Sequence, residues 1–291
     1  MVAIIDSPDF MLNDISVGSL TKRKKLYLFF KGLIVGFIYK NLNGKTFCNF
    51  INLLFPKRSK INYKNGQYFK YIFDDKLISY PNKRIVRVVN NYEHHLNFLF
   101  ESYCLNKISF KSDDYVVDCG ANVGELLYCF YQKKLNINYI AFEPDPHSFT
   151  SLSKNLNQFE NTEKNNLGLS NKDGREEFFI DSLGGNSSLE YFGNDDKTMI
   201  NTITLDSLNL KKIKLLKLEA EGHEEEVLLG AIKTLKHVEF ISVDYGPEKG
   251  TDQEPTTSQV VKVLYRNNFE LISTSKHRQI GLFKNTNYEE K

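Results

Sequence analysis

Residues 115–125 read YVVDCGANVGE. Apolar residues run into an acid, Asp118, and then into a turn with Gly120 and Gly124 around Asn122. A helical pattern follows over 122–133, so the stretch predicts a strand, a glycine-containing turn and a helix start. In an open α/β sheet, ligands bind beyond the carboxyl ends of the strands, where the first strand passes into the first helix. Glycine there lets backbone approach a ligand and lets the helix pack on its strand. The N–H groups at the helix start favour an anionic ligand group.

Outward from this turn the pattern alternates. Strands are expected at 115–119, 138–143, 164–169, 213–219 and 238–244, and helices at 122–133, 146–157, 223–236 and 257–267. That rhythm predicts a mostly parallel sheet with helices on both faces. FELIST (269–274) and QIGLFKN (279–285) predict a closing antiparallel pair, an ending that departs from a plain dinucleotide-binding sheet. EEFFIDSLGGNSSLEYF (176–192), with its paired glycines, predicts an excursion at the sheet edge.

The turn has no lysine, so it is not a P-loop. Its glycines are spaced G-x-x-x-G rather than G-x-G-x-x-G, which disfavours a pyrophosphate-binding dinucleotide site. Asp118 would repel phosphate but attract a cationic group, directly or through water. A ligand carrying both carboxylate and ammonium fits, and the methionine end of S-adenosylmethionine carries both. Glu143 ends the second strand, 25 residues after Asp118. A carboxylate there can accept from both hydroxyls of a ribose. The cofactor-binding candidates are therefore Asp118, Gly120, Ala121, Asn122, Gly124, Glu125, Glu143, Pro144 and Asp145. The plain alternative is a turn that only joins strand to helix.

KLLKLEAEGHEEE (214–226) is the second informative stretch. On an alternating strand Lys217, Glu219 and Glu221 share one face. Central parallel strands are usually apolar on both faces. Three ionisable groups there are costly unless paired or solvated in a cleft. A Lys217–Glu219 ion pair on a solvated edge is the alternative to a catalytic role. Glu224, Glu225 and Glu226 suit the first turn of the next helix, where carboxylates complement the dipole. His223 either caps that helix or serves the site; His94 and His95 read as solvated or packed. Asp244 ends the fifth strand and lines the same cleft, with 245–253 as a mobile rim.

In this order, DCGANVGE, FEPDPHSF, GLSNKDG, TLDSL, LLKLEAEGHEEEVLLGA and ISVDYGPEKG resemble the FkbM-type methyltransferases, over about residues 91–285. The resemblance implies a seven-stranded class I methyltransferase fold and S-adenosylmethionine as cofactor. It also implies O-methylation of a hydroxyl on a sugar, glycan or related small acceptor. It sets Lys217, Glu219 and Glu221 beside the reacting methyl group; of these Glu221, ending the strand closest to the open cleft, is the first candidate for the base, with His223 or Asp244 as alternatives. Gly168 and Glu93 join the cofactor group. Glu219 stands where aspartate is usual in the family, and Gly168 where many members have alanine. Rival readings are a nicotinamide-dependent oxidoreductase and an inert nucleoside-binding module.

Length and composition bound these readings. The 291 residues suit one large α/β domain with an appendage, or two modest domains. The chain is 41% hydrophobic and 25% charged, ordinary for a soluble globular protein. Cys48, Cys104, Cys119 and Cys129 form no metal spacing, so reduced thiols and a cytoplasmic location are expected, with no metal. A net charge of +2 argues against a dedicated nucleic-acid binder.

The charge is uneven, however. Residues 1–112 carry 18 Lys+Arg against 7 Asp+Glu, and the remainder 20 against 29. Residues 1–90 match no motif and form a basic, partly helical region before a cofactor-binding domain at 91–291. Within them, GQYFKYIFDDKLISY (66–80) predicts a hairpin with Asp74-Asp75 near its turn, and 91–105 predicts a helix. LYLFFKGLIVGFIY (26–39) follows KRKK, is interrupted by Lys31, and falls short of the roughly 20 apolar residues of a span. A packed helix, an in-plane membrane helix over 22–39 and a true span stay open, as does a solvated lysine-rich surface.

Overall fold

The computed structural model describes residues 20–56, 60–72, 76–89, 92–181, 187–193 and 195–288. The chain forms two compact units, Met1–Asn97 and Phe98–Lys291. Asp74, Asp75, Gly184 and Gly185 lie outside the described residues.

In the first unit, helix α1 (Lys22–Asn41) begins at Thr21, whose hydroxyl accepts from the Lys24 N–H. It buries Gly32, Val35 and Ile38, and is followed by α2 (Gly44–Leu54), which buries Phe47, Cys48 and Ile51. Strands β1 (Asn62–Lys64), β2 (Gln67–Tyr71) and β3 (Leu77–Tyr80) form an antiparallel sheet. The β2–β3 pairing is the expected hairpin. The β1–β2 turn uses Asn65 and Gly66, both at positive φ, as tight hairpins require. Among the described residues, no helix is long and apolar enough to cross a membrane. The unit boundary falls within α3 (Tyr92–Ser102).

The second unit runs β4 (Tyr115–Cys119), α4 (Glu125–Gln132), β5 (Asn138–Phe142), α5 (Pro146–Leu156), β6 (Thr162–Asn165), β7 (Gly168–Leu169), β8 (Gly174–Phe179) and β9 (Lys197–Ile203). It continues through β10 (Ile213–Leu218), α6 (Glu224–Leu229), β11 (Val238–Asp244), β12 (Pro247–Lys249), β13 (Glu254–Pro255), α7 (Thr257–Arg266), β14 (Phe269–Thr274) and β15 (Ile280–Asn285). A seven-stranded sheet has the order β14-β15-β11-β10-β4-β5-β6. Its strands from β6 to β11 pair in parallel, while β15 slots antiparallel between β11 and β14. This is the class I methyltransferase topology, reversed strand at the end included. Val117, Leu216, Leu218 and Ile241 of the sheet join Val227, Leu228 and Leu264 of the helices in one buried cluster.

Four departures from the expected pattern have local causes. The 122–133 helix starts at Glu125, because Asn122 and Gly124 hold positive φ and cannot be helical. The 164–169 strand breaks in two: β6 stays in the large sheet, and β7 joins a separate sheet of order β7-β9-β8. Between them Asn166 turns its amide onto the carbonyls of Glu143 and Pro144. Residues 176–179 of the 176–192 stretch therefore belong to that small sheet and not to the edge of the large one. The 223–236 helix stops at Leu229, where Gly230 leaves the helical conformation at ψ 0° and packs against the Ser170 carbonyl, 2.0 Å from where a Cβ would stand.

Candidate active site

Strand order reverses at β4, with β5 on one side and β10 on the other. Open α/β sheets bind ligands at such a switch point. Here the turn 120–124 after β4 faces the turn 219–222 after β10. Both glycines of the first turn serve contacts inside the protein. A Cβ on Gly120 would stand 1.9 Å from the Glu219 carbonyl, and one on Gly124 would stand 2.5 Å from the Leu156 side chain of α5. The N–H groups of Gly120 and Ala121 both donate to the Phe142 carbonyl at 3.0 Å.

Lys217 clamps this arrangement. It is buried, donates to the carbonyls of Cys119 (3.0 Å) and Gly120 (2.8 Å), and pairs with Asp118 (3.1 Å) and Glu219 (3.2 Å). Burial works against its charge, but Asp118, Tyr103 and Glu219 outweigh it and hold the ammonium well above the usual lysine range. Asp118 also accepts from the Tyr139 hydroxyl, and its burial raises its pKa despite Lys217. Asp118 thus braces the turn through Lys217 and Tyr139.

Glu219 accepts from Tyr103 and Arg278, and Arg278 also pairs with Asp244 at 2.7 Å. Burial would raise Glu219, but Lys217 and Arg278 drive it far below the usual carboxylate range. The Asp244 carboxylate further accepts from the Gly246 N–H at 3.0 Å. Sequence reasoning missed Tyr103 and Arg278. Neither lies in a motif, and Arg278 sits in the β14–β15 turn, 59 residues from Glu219.

Glu221 differs. Its backbone is left-handed at φ 49°, so the strand alternation ends at Leu218 and Glu221 stands in a turn. The Ser188 hydroxyl donates to its carbonyl at 2.6 Å. Burial, then Glu219 and Glu248, push its carboxyl up to about 9. Glu248, which the sequence did not single out, is pushed up to about 8 by burial, Asp244 and Glu219. The turn is braced by Glu224, which accepts from Ala220 N–H (2.8 Å), Gly222 N–H (3.2 Å) and the Thr256 hydroxyl (3.1 Å). Glu224 is therefore a support for the turn, more than a partner of the helix dipole.

His223 uses both ring nitrogens, Nε2 with Ser170 Oγ at 3.0 Å and Nδ1 with Glu190 at 2.9 Å. Glu226 lies 3.7 Å from Nδ1, and Lys249 neutralises it at 3.0 Å. The ring thus ties α6 to β7 and to the 188–190 segment.

Glu143 is buried just past β5 and accepts from the N–H groups of Asn122 (2.7 Å) and Asp145 (2.9 Å), one on each oxygen. Each oxygen keeps a lone pair for a ligand hydroxyl. Burial pushes the group up to about 7, with the Asp145 charge adding and the two N–H bonds opposing. Asp145 itself caps α5, accepting from His147 and Ser148, ahead of Pro146 in the first turn. Pro144 is half-buried between them, and Glu125 is buried in the first turn of α4. Gly168 lies in β7 beside the Ile200 side chain, and Glu93 is exposed in the first turn of α3.

Residues 118–271, just over half of the chain, match the Methyltransferase FkbM domain. The chain belongs to the FkbM methyltransferase family. It is 31% identical over 152 residues to the hexuronic acid methyltransferase AglP of Haloferax volcanii, covering 50% of this chain and 61% of that one. It is 26% identical to Methyltransferase 1 of Beauveria bassiana, covering 50% and 59%, and 22% identical to the 2-O-methyltransferase NoeI of Sinorhizobium fredii, covering 56% and 75%. The alignments thus span about three-fifths of the first two relatives. A crystal structure of a methyltransferase FkbM from Methylobacillus flagellatus aligns at a TM-score of 0.46 with 15% identity, over 69% of this chain and 51% of that one. The FkbM match covers β4 to β14 and therefore all of the network except Tyr103 and Arg278.

Proposed function

We propose that this chain transfers a methyl group from S-adenosylmethionine to a hydroxyl of a sugar or related acceptor. The observation that carries the reading is the acid excess at the switch point. Among the described residues Glu219 pairs with Lys217 and Arg278 and Asp244 with Arg278, while Glu221 and Glu248 are pushed up to about 9 and about 8. Such a cleft suits a ligand that brings positive charge. S-adenosylmethionine fits on its ribose side as well, through the remaining lone pairs of Glu143. When bound, the cofactor supplies an electrophilic methyl group on a sulfonium.

The chain's own work is then to orient and to move one proton. Lys217 and the Glu219–Arg278 pair hold the two turns in register. Glu221, at the tip of the second turn, takes the acceptor proton once a nearby positive charge has lowered its pKa towards the working pH. The sugar acceptor is supported by the relatives: one is named for hexuronic acid and another for 2-O-methylation.

Glu143→Ala is expected to weaken S-adenosylmethionine binding by about 1–3 kcal/mol, the worth of charge-assisted hydrogen bonds to two hydroxyls. Calorimetry on the variant checks this, and unchanged affinity removes Glu143 from the pocket. The reaction itself is tested with methyl-labelled cofactor and a set of hexuronic-acid and neutral glycosides, followed by mass spectrometry. An O-methylated sugar is expected. Transfer to nitrogen acceptors only, or to none, contradicts the proposal.

A further inference from the structure

Between Leu26 and Tyr39 α1 carries a single charge, Lys31, yet only one side of it is buried. Leu26, Tyr27, Phe30, Leu33, Ile34 and Phe37 are each 51–65% exposed. Their spacing of one, three and four residues puts all six on one helical face. Single exposed apolar side chains are ordinary, but six in a continuous stripe mark an interaction surface. α2 adds Phe50 and Leu53, 46% and 73% exposed.

Lys31, the charge that interrupts the apolar run in the sequence, does not interrupt the stripe. Its ammonium turns inward, donates to the Leu54 carbonyl at 2.8 Å and sits 3.9 Å from the centre of the Phe55 ring. It therefore neutralises the carboxyl end of α2 and leaves the outer face of α1 uncharged. Cations gather instead at the two ends of the helix, Lys22, Arg23, Lys24 and Lys25 at one and Lys40 at the other. Between Asp14 and Asp74 the sequence has no acidic residue at all.

We infer that the N-terminal unit docks on an anionic lipid bilayer, with α1 lying in the plane of the surface and its outer stripe among the acyl chains. The charge pattern selects this occupant. A second copy would set the cations at the ends of one α1 against those of another, with no acid between Asp14 and Asp74 to offset them, at a repulsive cost that a bilayer of anionic lipids reverses. Nucleic acid would meet the cations but has no partner for six large apolar side chains. A helix with an apolar face and basic ends has the form of an interfacial anchor, and binding grows with both buried apolar area and anionic lipid.

The test is co-sedimentation of the full chain with phosphatidylcholine vesicles, with and without phosphatidylglycerol. The chain is expected to pellet with the anionic vesicles at low salt and to be released as salt rises. Phe30→Ser/Leu33→Ser/Phe37→Ser is expected to lower the partition coefficient by about a hundredfold. Lys22→Ala and Lys24→Ala are expected to lower it by about fivefold each. All three sets change exposed side chains, and circular dichroism checks that helix content is kept. No pelleting of the wild-type chain overturns the inference. So does a triple variant that pellets like wild type, because charge alone would then carry the binding. A wild-type dimer in analytical ultracentrifugation that the triple variant dissolves, with no vesicle binding, assigns the stripe to a second copy instead.

Discussion

Lys217→Met is expected to lower the free energy of unfolding by about 3–5 kcal/mol, the cost of leaving buried charges without their partner. Asp118 and Glu219 would both lose the ammonium at 3.1 and 3.2 Å. The carbonyls of Cys119 and Gly120 would lose their donor as well. Glu219 keeps Arg278 and Tyr103, so Asp118, left with Tyr139 alone, carries most of the damage. The sign with pH follows from Asp118. Its pKa is already raised by burial in the folded protein and would rise further in the variant. An acid raised on folding favours the folded state at low pH and loses that contribution as pH rises. The deficit of the variant should therefore be smaller near pH 5 than near pH 8. Urea denaturation at both values measures it, and a loss under about 1 kcal/mol would show that the clamp is dispensable.

Glu221→Gln is expected to reduce kcat by about 10²–10⁴-fold while cofactor affinity near neutral pH, where Glu221 is mostly protonated, changes little. Glutamine keeps the length and the left-handed backbone at φ 49°, so the turn and its bond from Ser188 survive. A drop in kcat without a matching rise in KM is the signature of a group used in the transition state only. A variant within about threefold of wild type would move the proton to another group, with Glu248 next in line by its raised pKa. His223→Ala is a poor test of the same role, since it would cut the ties to Ser170 and Glu190.

The sheet was legible in the sequence because its strands are buried on both faces. Apart from Asp118 and Lys217, VVDC, IAF and LLKL read as apolar runs, and the rhythm of helices between them permits few topologies. Asp118, Glu143 and Lys217 were legible because an ionisable group at the end of such a run needs a reason. What each does was not legible. Asp118 and Lys217 pair across two adjacent strands, and strand order is a long-range fact. Arg278 and Tyr103 reach Glu219 from 59 and 116 residues away and carry no local signal. Glu221 was placed on a strand by alternation, whereas the chain turns at Glu219 under hydrogen bonds from Ala220 and Gly222 to Glu224. The two glycines after β4 signal a close approach, but that Gly120 meets the Glu219 carbonyl and Gly124 the Leu156 side chain depends on elements far along the chain.

The most direct test of the central claim, an acidic switch-point crevice that takes a positively charged cofactor, is calorimetric titration with S-adenosylmethionine and with NAD. Two buffers of different ionisation heat at each pH give the protons exchanged on binding. Glu143, Glu248 and Glu221 are pushed up to about 7, about 8 and about 9, so all three hold protons in part near neutrality. A bound positive charge favours their ionised forms, which releases protons and makes affinity rise with pH across that window. S-adenosylmethionine is expected to bind with proton release, tightening from about pH 7 to about pH 9, and NAD is expected not to bind. Binding of NAD in its place, or S-adenosylmethionine affinity that is flat with pH and releases no proton, would contradict it.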